Sequence, residues 1–188
     1  PTEVQVPVVK IAGYVNLTEE AWDDTVGLRA WLANELPKAY LKAEDEYIFM
    51  DPTHGVYTLA SNWIPDGAIN AWDTLISALA QLEKADQYGT AILVSPDGRK
   101  ELRRNKDLIN GLYTYPIVSF DNGVLRFDGI PVYSTNILTG YQFLVGDFAE
   151  GVELRQRKGM QVRYSTENED NFVKNLITVL IEGRVAVC

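Results

Sequence analysis

Few side chains in this sequence are equipped for nucleophilic or metal chemistry. It holds one histidine, His54, and one cysteine, Cys188. A single histidine excludes paired-histidine metal motifs and leaves few candidates for a proton shuttle. A single cysteine excludes an intrachain disulfide and any zinc or iron–sulfur site built from several cysteines. A hydroxyl or thiol nucleophile needs a base within reach. Cys188 is terminal, His54 stands in Asp51-Pro52-Thr53-His54-Gly55, and no Gly-x-Ser-x-Gly elbow occurs. His54 therefore reads as a loop histidine. The phosphate-cradling Gly-x-x-x-x-Gly-Lys-[Ser/Thr] loop is also missing from the sequence. The remaining candidates are acidic: Asp23-Asp24, Glu44-Asp45-Glu46 and Glu167-Asn168-Glu169-Asp170. Paired carboxylates could perform acid–base chemistry or hold a divalent cation. Adjacent helical positions point about 100° apart, so Glu44 and Asp45 do not converge. A pair would have to come from separate segments, and solvated acidic faces are the simpler reading. The basic run Arg99-Lys100-x-x-Arg103-Arg104-x-Lys106 lacks interleaved aromatics and reads as a solvated face or a contact for an acidic subunit. Trp22, Trp31, Trp63 and Trp72 read as core or interface anchors. No catalytic, metal-binding or cofactor-binding residue is assigned, and no cofactor is expected.

The elements that would position these residues follow from periodicity. Val4, Val6, Val8 and Ile11 begin as an alternating strand, with Pro7 at an edge or bulge. Thr18 followed by Glu19-Glu20 is a helix start with an N-cap and acids in the first turn. The helix runs toward about Phe49, with Trp22, Val26, Leu32, Leu36 and Tyr40 at near-helical spacing, and Pro37 should kink or split it. A loop covers Asp51 to Gly67. A second helix spans about Ala68 to Lys84, with Ala71, Trp72, Leu75, Ile76, Leu79 and Leu82 on one stripe. Ala91–Val94 is a short buried strand. Ser95-Pro96 then caps a third helix over about Pro96 to Leu108. Beyond Ile117 the pattern changes to short strands punctuated by Asp121-Asn122-Gly123 and Asp128-Gly129. Strands are expected at Ile130–Tyr133, Gln142–Val145, Val152–Gln156 and Gln161–Tyr164, with a hairpin turn at Lys158-Gly159. Phe172 to Val187 is apolar and β-branched, which favours a strand. The fold class is α+β, helices first and strands last.

At 188 residues the chain can bury a sizeable core, exposing about 9,000 Å² when compact against about 30,600 Å² unfolded. It is 46% hydrophobic and 23% charged, in the globular range. Seventeen basic residues against twenty-six acidic ones give a net charge of −9, which opposes a general electrostatic grip on nucleic acid. No run approaches the ~20 apolar residues of a membrane span, and Pro1–Lys10 lacks the features of a signal peptide. The chain opens on Pro1 without a Met start and stops at Cys188 directly after an apolar run. Both ends read as cut.

The stretch from Glu167 to Val187, Glu-Asn-Glu-Asp-Asn-Phe-Val-Lys-Asn followed by an apolar run and Glu182-Gly183-Arg184, closely resembles a known pattern. It is similar to the final peripheral-domain strand of the tailed-bacteriophage major capsid proteins, the Hong Kong 97 fold. Other segments are collinear with that family. Val9–Leu17 and the long acidic-ended helix after it look like the family's spine helix and the strand feeding it. Ala91–Pro96 with Leu102, Asp107 and Gly111 looks like its strand–helix unit. Gly129-Ile130-Pro131-Val132 looks like its Gly-x-Pro-Val strand, and Gly146-Asp147-Phe148 with Arg155 to Arg163 looks like its late hairpin. The resemblance spans nearly the whole chain, and its last segment is the most specific.

What the resemblance implies is a shell subunit. Residues 1–66 would be a peripheral-domain strand and spine helix. Residues 67–150 would be the axial domain, of mixed sheet and helices, and 151–188 the return hairpin and final peripheral strand. The subunit would form pentamers and hexamers of an icosahedral capsid enclosing double-stranded DNA without sequence-specific contact. Portal and scaffold would be further partners, and no membrane is involved. It would reside in the virion capsid, and in host cytoplasm during assembly. The sequence begins too late for the family's N-terminal arm, and Val4–Val15 would be the returning base of its extended loop. The resemblance places Asn175 and Glu182 where the type member has the Asn of an intersubunit Lys–Asn isopeptide and its assisting Glu. On one strand their seven-residue offset would span about 23 Å and put them on opposite faces. They are intersubunit contact or cross-link candidates that could not act on each other within one chain. The alternatives are an encapsulin-like nanocompartment shell and, from another class, an enzyme using paired carboxylates.

Overall fold

The computed structural model describes residues 6–67, 70–104 and 118–187. The chain divides into two units, one formed by Pro1–Gly55 with Leu154–Cys188 and the other by Val56–Glu153.

The first unit joins the two ends of the chain in one antiparallel sheet. Strand β1 is Val9–Thr18, β7 is Leu154–Ser165 and β8 is Leu176–Val187, in the order β1-β8-β7. Because β8 is central, Ile177, Val179, Ile181, Val185 and Val187 are all buried. Val4 lies outside the described residues, and the strand near the start begins at Val9, after Pro7, which has no N–H for the ladder. The threonine cap is as expected: Thr18 Oγ1 accepts from Ala21 N at 3.2 Å and opens α1, Glu19–Asp24. The single long helix expected next is in fact two. The break falls at Gly27, whose φ of +88° suits glycine, and α2 then runs from Leu28 to Met50 straight through Pro37. Leu32, Tyr40 and Glu44 are its buried residues.

Tyr40 locates α2 on the sheet. A Cβ at Gly183 would run into the Tyr40 ring and hydroxyl, so the helix seats where β8 has no side chain. The odd-numbered residues of β8 therefore face α2, and the even-numbered ones face the opposite, polar side. Two further expectations are corrected in this unit. Lys158-Gly159 does not turn a hairpin. Residues 154–165 form one strand with register irregularities between Gln156 and Gln161, because the unbroken partner β8 carries pairing past them. The final strand starts at Leu176, not Phe172. Residues Asn171–Lys174 form a helical turn, α6, that ends on Asn175 in the left-handed region (φ +50°).

The second unit holds a five-stranded sheet, order β3-β4-β5-β2-β6: Val118–Asp121, Val124–Phe127, Ile130–Ser134, Ala91–Val94 and Phe143–Gly146. The two turns expected from Asn122-Gly123 and Asp128-Gly129 are both present, with positive φ at all four residues. A short helix α3, Val56–Leu59, interrupts the predicted loop. The second predicted helix is α4, Ala71–Glu83. Its cap is Asn70, whose side chain accepts from Trp72 N and Asp73 N at 2.9 Å each. Ser95 Oγ accepts from Gly98 N at 2.9 Å and starts α5, Pro96–Arg104; the rest of that predicted helix lies outside the described residues. The core of this unit joins Trp72, Leu75 and Leu79 of α4 to Leu102 of α5 and to Ile92, Val94, Leu125, Phe127 and Val132 of the sheet. Trp72 meets Phe127 edge-on at 6.4 Å and donates its indole N–H to Leu102 O at 3.1 Å.

Candidate functional site: an ionic cluster on the polar face of the sheet

The polar face of the three-stranded sheet carries the densest charge arrangement among the described residues. Glu182 sits at its centre, with its side chain 9% exposed. Lys10 Nζ on β1 lies 2.7 Å from Oε2, Lys158 Nζ on β7 lies 2.7 Å from Oε1, and Arg163 Nη2 lies 3.6 Å from Oε1. Register explains the convergence. Lys10 and Lys158 both pair with Arg184, two residues along β8 from Glu182, while Arg163 pairs with Leu180, two residues the other way. All of them face the same side, within diagonal reach of Glu182. Hydrogen bonds from Lys10 first, then Lys158, hold its pKa down to about 2, although desolvation opposes them. A carboxylate held there is anionic at neutral pH and a weak proton acceptor.

Asn175 is placed differently from its sequence expectation. It lies in the turn that precedes β8 rather than on the strand, so the opposite-face argument does not apply to it. Its carbonyl accepts from Glu19 N at 2.9 Å and its side chain is exposed. A buried polar network holds the turn. Asn171 Nδ2 donates to Thr178 Oγ1 at 2.7 Å, and Thr178 Oγ1 donates to Asn16 Oδ1 at 2.8 Å. Phe172 and Val173 on this turn stand 83% and 84% exposed.

The other sequence candidates disperse. Asp23 pairs with Arg29 at 2.7 Å, while Glu44 is buried and accepts from the Tyr40 hydroxyl at 3.3 Å. His54 donates its backbone N–H to Asp51 Oδ1 at 2.8 Å in the turn after α2, as a loop residue does. This bond, with the one from Thr53, lowers the Asp51 pKa. Trp22 meets Tyr164 with tilted rings at 5.4 Å and carries Arg29 over its ring, Trp63 donates to Ser77 Oγ at 3.1 Å, Trp72 is core and Trp31 is exposed. Cys188 lies outside the described residues. Among the described residues no cluster of three metal-ligating side chains occurs, and no helix is long and apolar enough to cross a membrane. Sequence reasoning missed Lys10, Lys158 and Arg163 as partners of Glu182. Their alternation was visible, but their register against a distant strand was not.

Comparison with known proteins gives the context for this arrangement. Residues 2–187 match the model of the phage capsid family. The chain is 27% identical over 191 aligned residues to the major capsid protein of Enterobacteria phage HK97, covering 96% of this chain and 48% of that protein. It thus spans about half the length of the curated relative it matches. Its fold is similar to a structure from Microbacterium phage Oxtober96 at a TM-score of 0.77 and 19% identity, covering 97% of this chain and 66% of that one. It is also similar to the capsid of a native GTA particle at a TM-score of 0.74 and 17% identity, covering 98% and 72%. The SrpI encapsulin of Synechococcus elongatus shares the fold more distantly, at a TM-score of 0.64 and 16% identity over 96% of this chain and 69% of that one. The sheet of joined chain ends, the long helix seated on it and the match over nearly the full chain place this protein in the phage capsid family, with the Hong Kong 97 fold.

Proposed function

We propose that this chain is the conserved-fold portion of a structural subunit that assembles into pentamers and hexamers of an icosahedral phage capsid enclosing double-stranded DNA. The family match over residues 2–187 carries this reading. The surface supports it. In the first unit Tyr14, Trp31, Leu41, Phe172 and Val173 are exposed, and in the second Ile64, Tyr88, Phe120 and Tyr141 are. Large side chains spread over several faces suit a subunit with several protein contacts. The first unit corresponds to a peripheral domain and the second to an axial one. DNA is held by confinement, since a net charge of −9 repels it. Portal and scaffold are further partners, assembly takes place in host cytoplasm, and the subunit performs no enzymatic turnover. Asn175 and Glu182 are contact residues of the intersubunit seam. An isopeptide bond at Asn175 would form by attack of a lysine amine from another copy on the side-chain amide carbon, with ammonia leaving, and would need a base freed from the cations that hold Glu182 to take the amine proton.

Electron microscopy of the full-length gene product tests this. Uniform icosahedral shells containing nuclease-protected DNA are expected after phage induction. Small shells filled with a protein cargo would instead favour a nanocompartment, which shares this fold. A soluble monomer at every concentration would overturn both. Denaturing electrophoresis of the shells reads the cross-link, as a ladder of covalent oligomers against a single subunit band.

A further inference from the structure

The polar face of the sheet has more positive charge than it needs. Lys10, Arg184 and Lys158 are aligned in one row across β1, β8 and β7, each directly opposite the next. Like charges in such positions destabilise a sheet. Arg163 adds a fourth cation, and Glu182 is the common counter-ion of Lys10, Lys158 and Arg163. Arg184 has no ion pair among the described residues and is exposed. The patch therefore keeps an excess of positive charge on a chain whose net charge is −9.

The opposite charge lies at the other end of the same hairpin. The turn between β7 and β8 carries Glu167, Glu169 and Asp170. Glu167 and Glu169 make no ion pair among the described residues, and Asp170 pairs only with neighbouring Lys174 at 3.1 Å. The other acidic clusters are partly spent, Asp23 on Arg29 and Glu44 inside the helix–sheet contact. This turn is held by buried Asn171 and presents Phe172 and Val173 outward beside the carboxylates. Rigid, exposed apolar anchors with a charged rim are what a protein contact uses. Within one copy the two ends cannot meet, because the row at Thr178 and the row at Arg184 are six residues apart, about 20 Å along the strand.

We infer that the acidic turn Glu167–Val173 of one copy docks on the Lys10–Arg184–Lys158 row of the next, as a head-to-tail contact between subunits. Such a contact is heterologous, of the kind that builds rings rather than isolated pairs when the rotation between copies closes. A second copy fits this patch better than DNA. The turn brings the exposed apolar side chains Phe172 and Val173 beside its carboxylates, which a phosphate backbone does not.

The inference rests on the capsid reading, and charge exchange in the full-length gene product separates the two. Arg184→Glu and the pair Glu167→Lys with Glu169→Lys remove no intrachain ion pair, and circular dichroism checks that each variant is folded. Each alone is expected to reduce shell yield by about tenfold or more. Combining them should restore yield to within about twofold of the wild type. Normal yield from either single exchange, or no rescue by the combination, overturns the inference. So does an Arg184→Glu particle that assembles normally but holds less DNA. Should Arg184→Glu fail to fold, Arg184→Gln is read the same way, with a smaller loss and a weaker salt dependence of assembly expected. If the wild type forms no shells, the capsid reading fails, and the same variants are scored on soluble oligomers by sedimentation. Loss and rescue there support the contact, and their absence overturns it.

Discussion

Glu182 gathers three cations of its own chain, and that geometry makes a pH prediction. Its folded pKa of about 2 lies below the ordinary 4.5, so on acidification the unfolded chain takes up this proton first. The contribution is complete above about pH 4.5 and is lost as pH falls toward 2. Thermal unfolding between pH 7 and pH 3 should therefore show a steeper loss for the wild type than for Glu182→Gln. Equal slopes would remove Glu182 from the acid response. One residue further along β8, Gly183 makes a steric prediction. It is the place where Tyr40 of α2 touches the strand. Gly183→Ala should overpack that contact and cost about 1–3 kcal/mol in denaturant unfolding. A neutral result would mean that the helix shifts freely on the sheet.

At the scale of elements, α2 tolerates a proline that isolated helices do not. Pro37 lies in the interior of a 23-residue helix and removes one backbone hydrogen bond. Pro37→Ala should stabilise the first unit by about 1–3 kcal/mol, read from the denaturation midpoint. A loss of stability would show that the proline geometry is needed where α2 crosses β8. Helix starts were legible in the sequence because caps are local: Thr18 and Ser95 are three residues from the N–H groups they accept. The break at Gly27 was less legible than Pro37, although glycine at positive φ interrupts a helix that proline here does not. Similarly, Lys158-Gly159 looked like a turn in isolation, but β8 supplies a continuous ladder that draws the residues on either side into one strand.

At the scale of the molecule, the first unit exposes Trp31 and Leu41 on α2 at 58% and 52%. Both are more than half exposed, so Trp31→Ser should alter the stability of the unassembled chain by less than about 0.5 kcal/mol. In the full-length gene product the same substitution should lower the yield of shells, counted by electron microscopy against folded protein. A destabilised monomer with normal assembly would mean that Trp31 serves the fold instead.

The sequence by itself determined the fold class, most of the helix starts, both short hairpins and the family resemblance, because these depend on local chemistry: caps, turn residues and hydrophobic period. It also singled out Asn175 and Glu182 by resemblance. Only the tertiary structure decided that residues 9–18 and 176–187 share one sheet, that Asn175 leaves the strand, and that Lys10 and Lys158 flank Arg184 around a single carboxylate. Strand register between segments more than 150 residues apart is set by packing against α2 and by the whole ladder at once. A one-residue slip would reverse which side chains face the helix, and no local pattern in either strand encodes their mutual alignment.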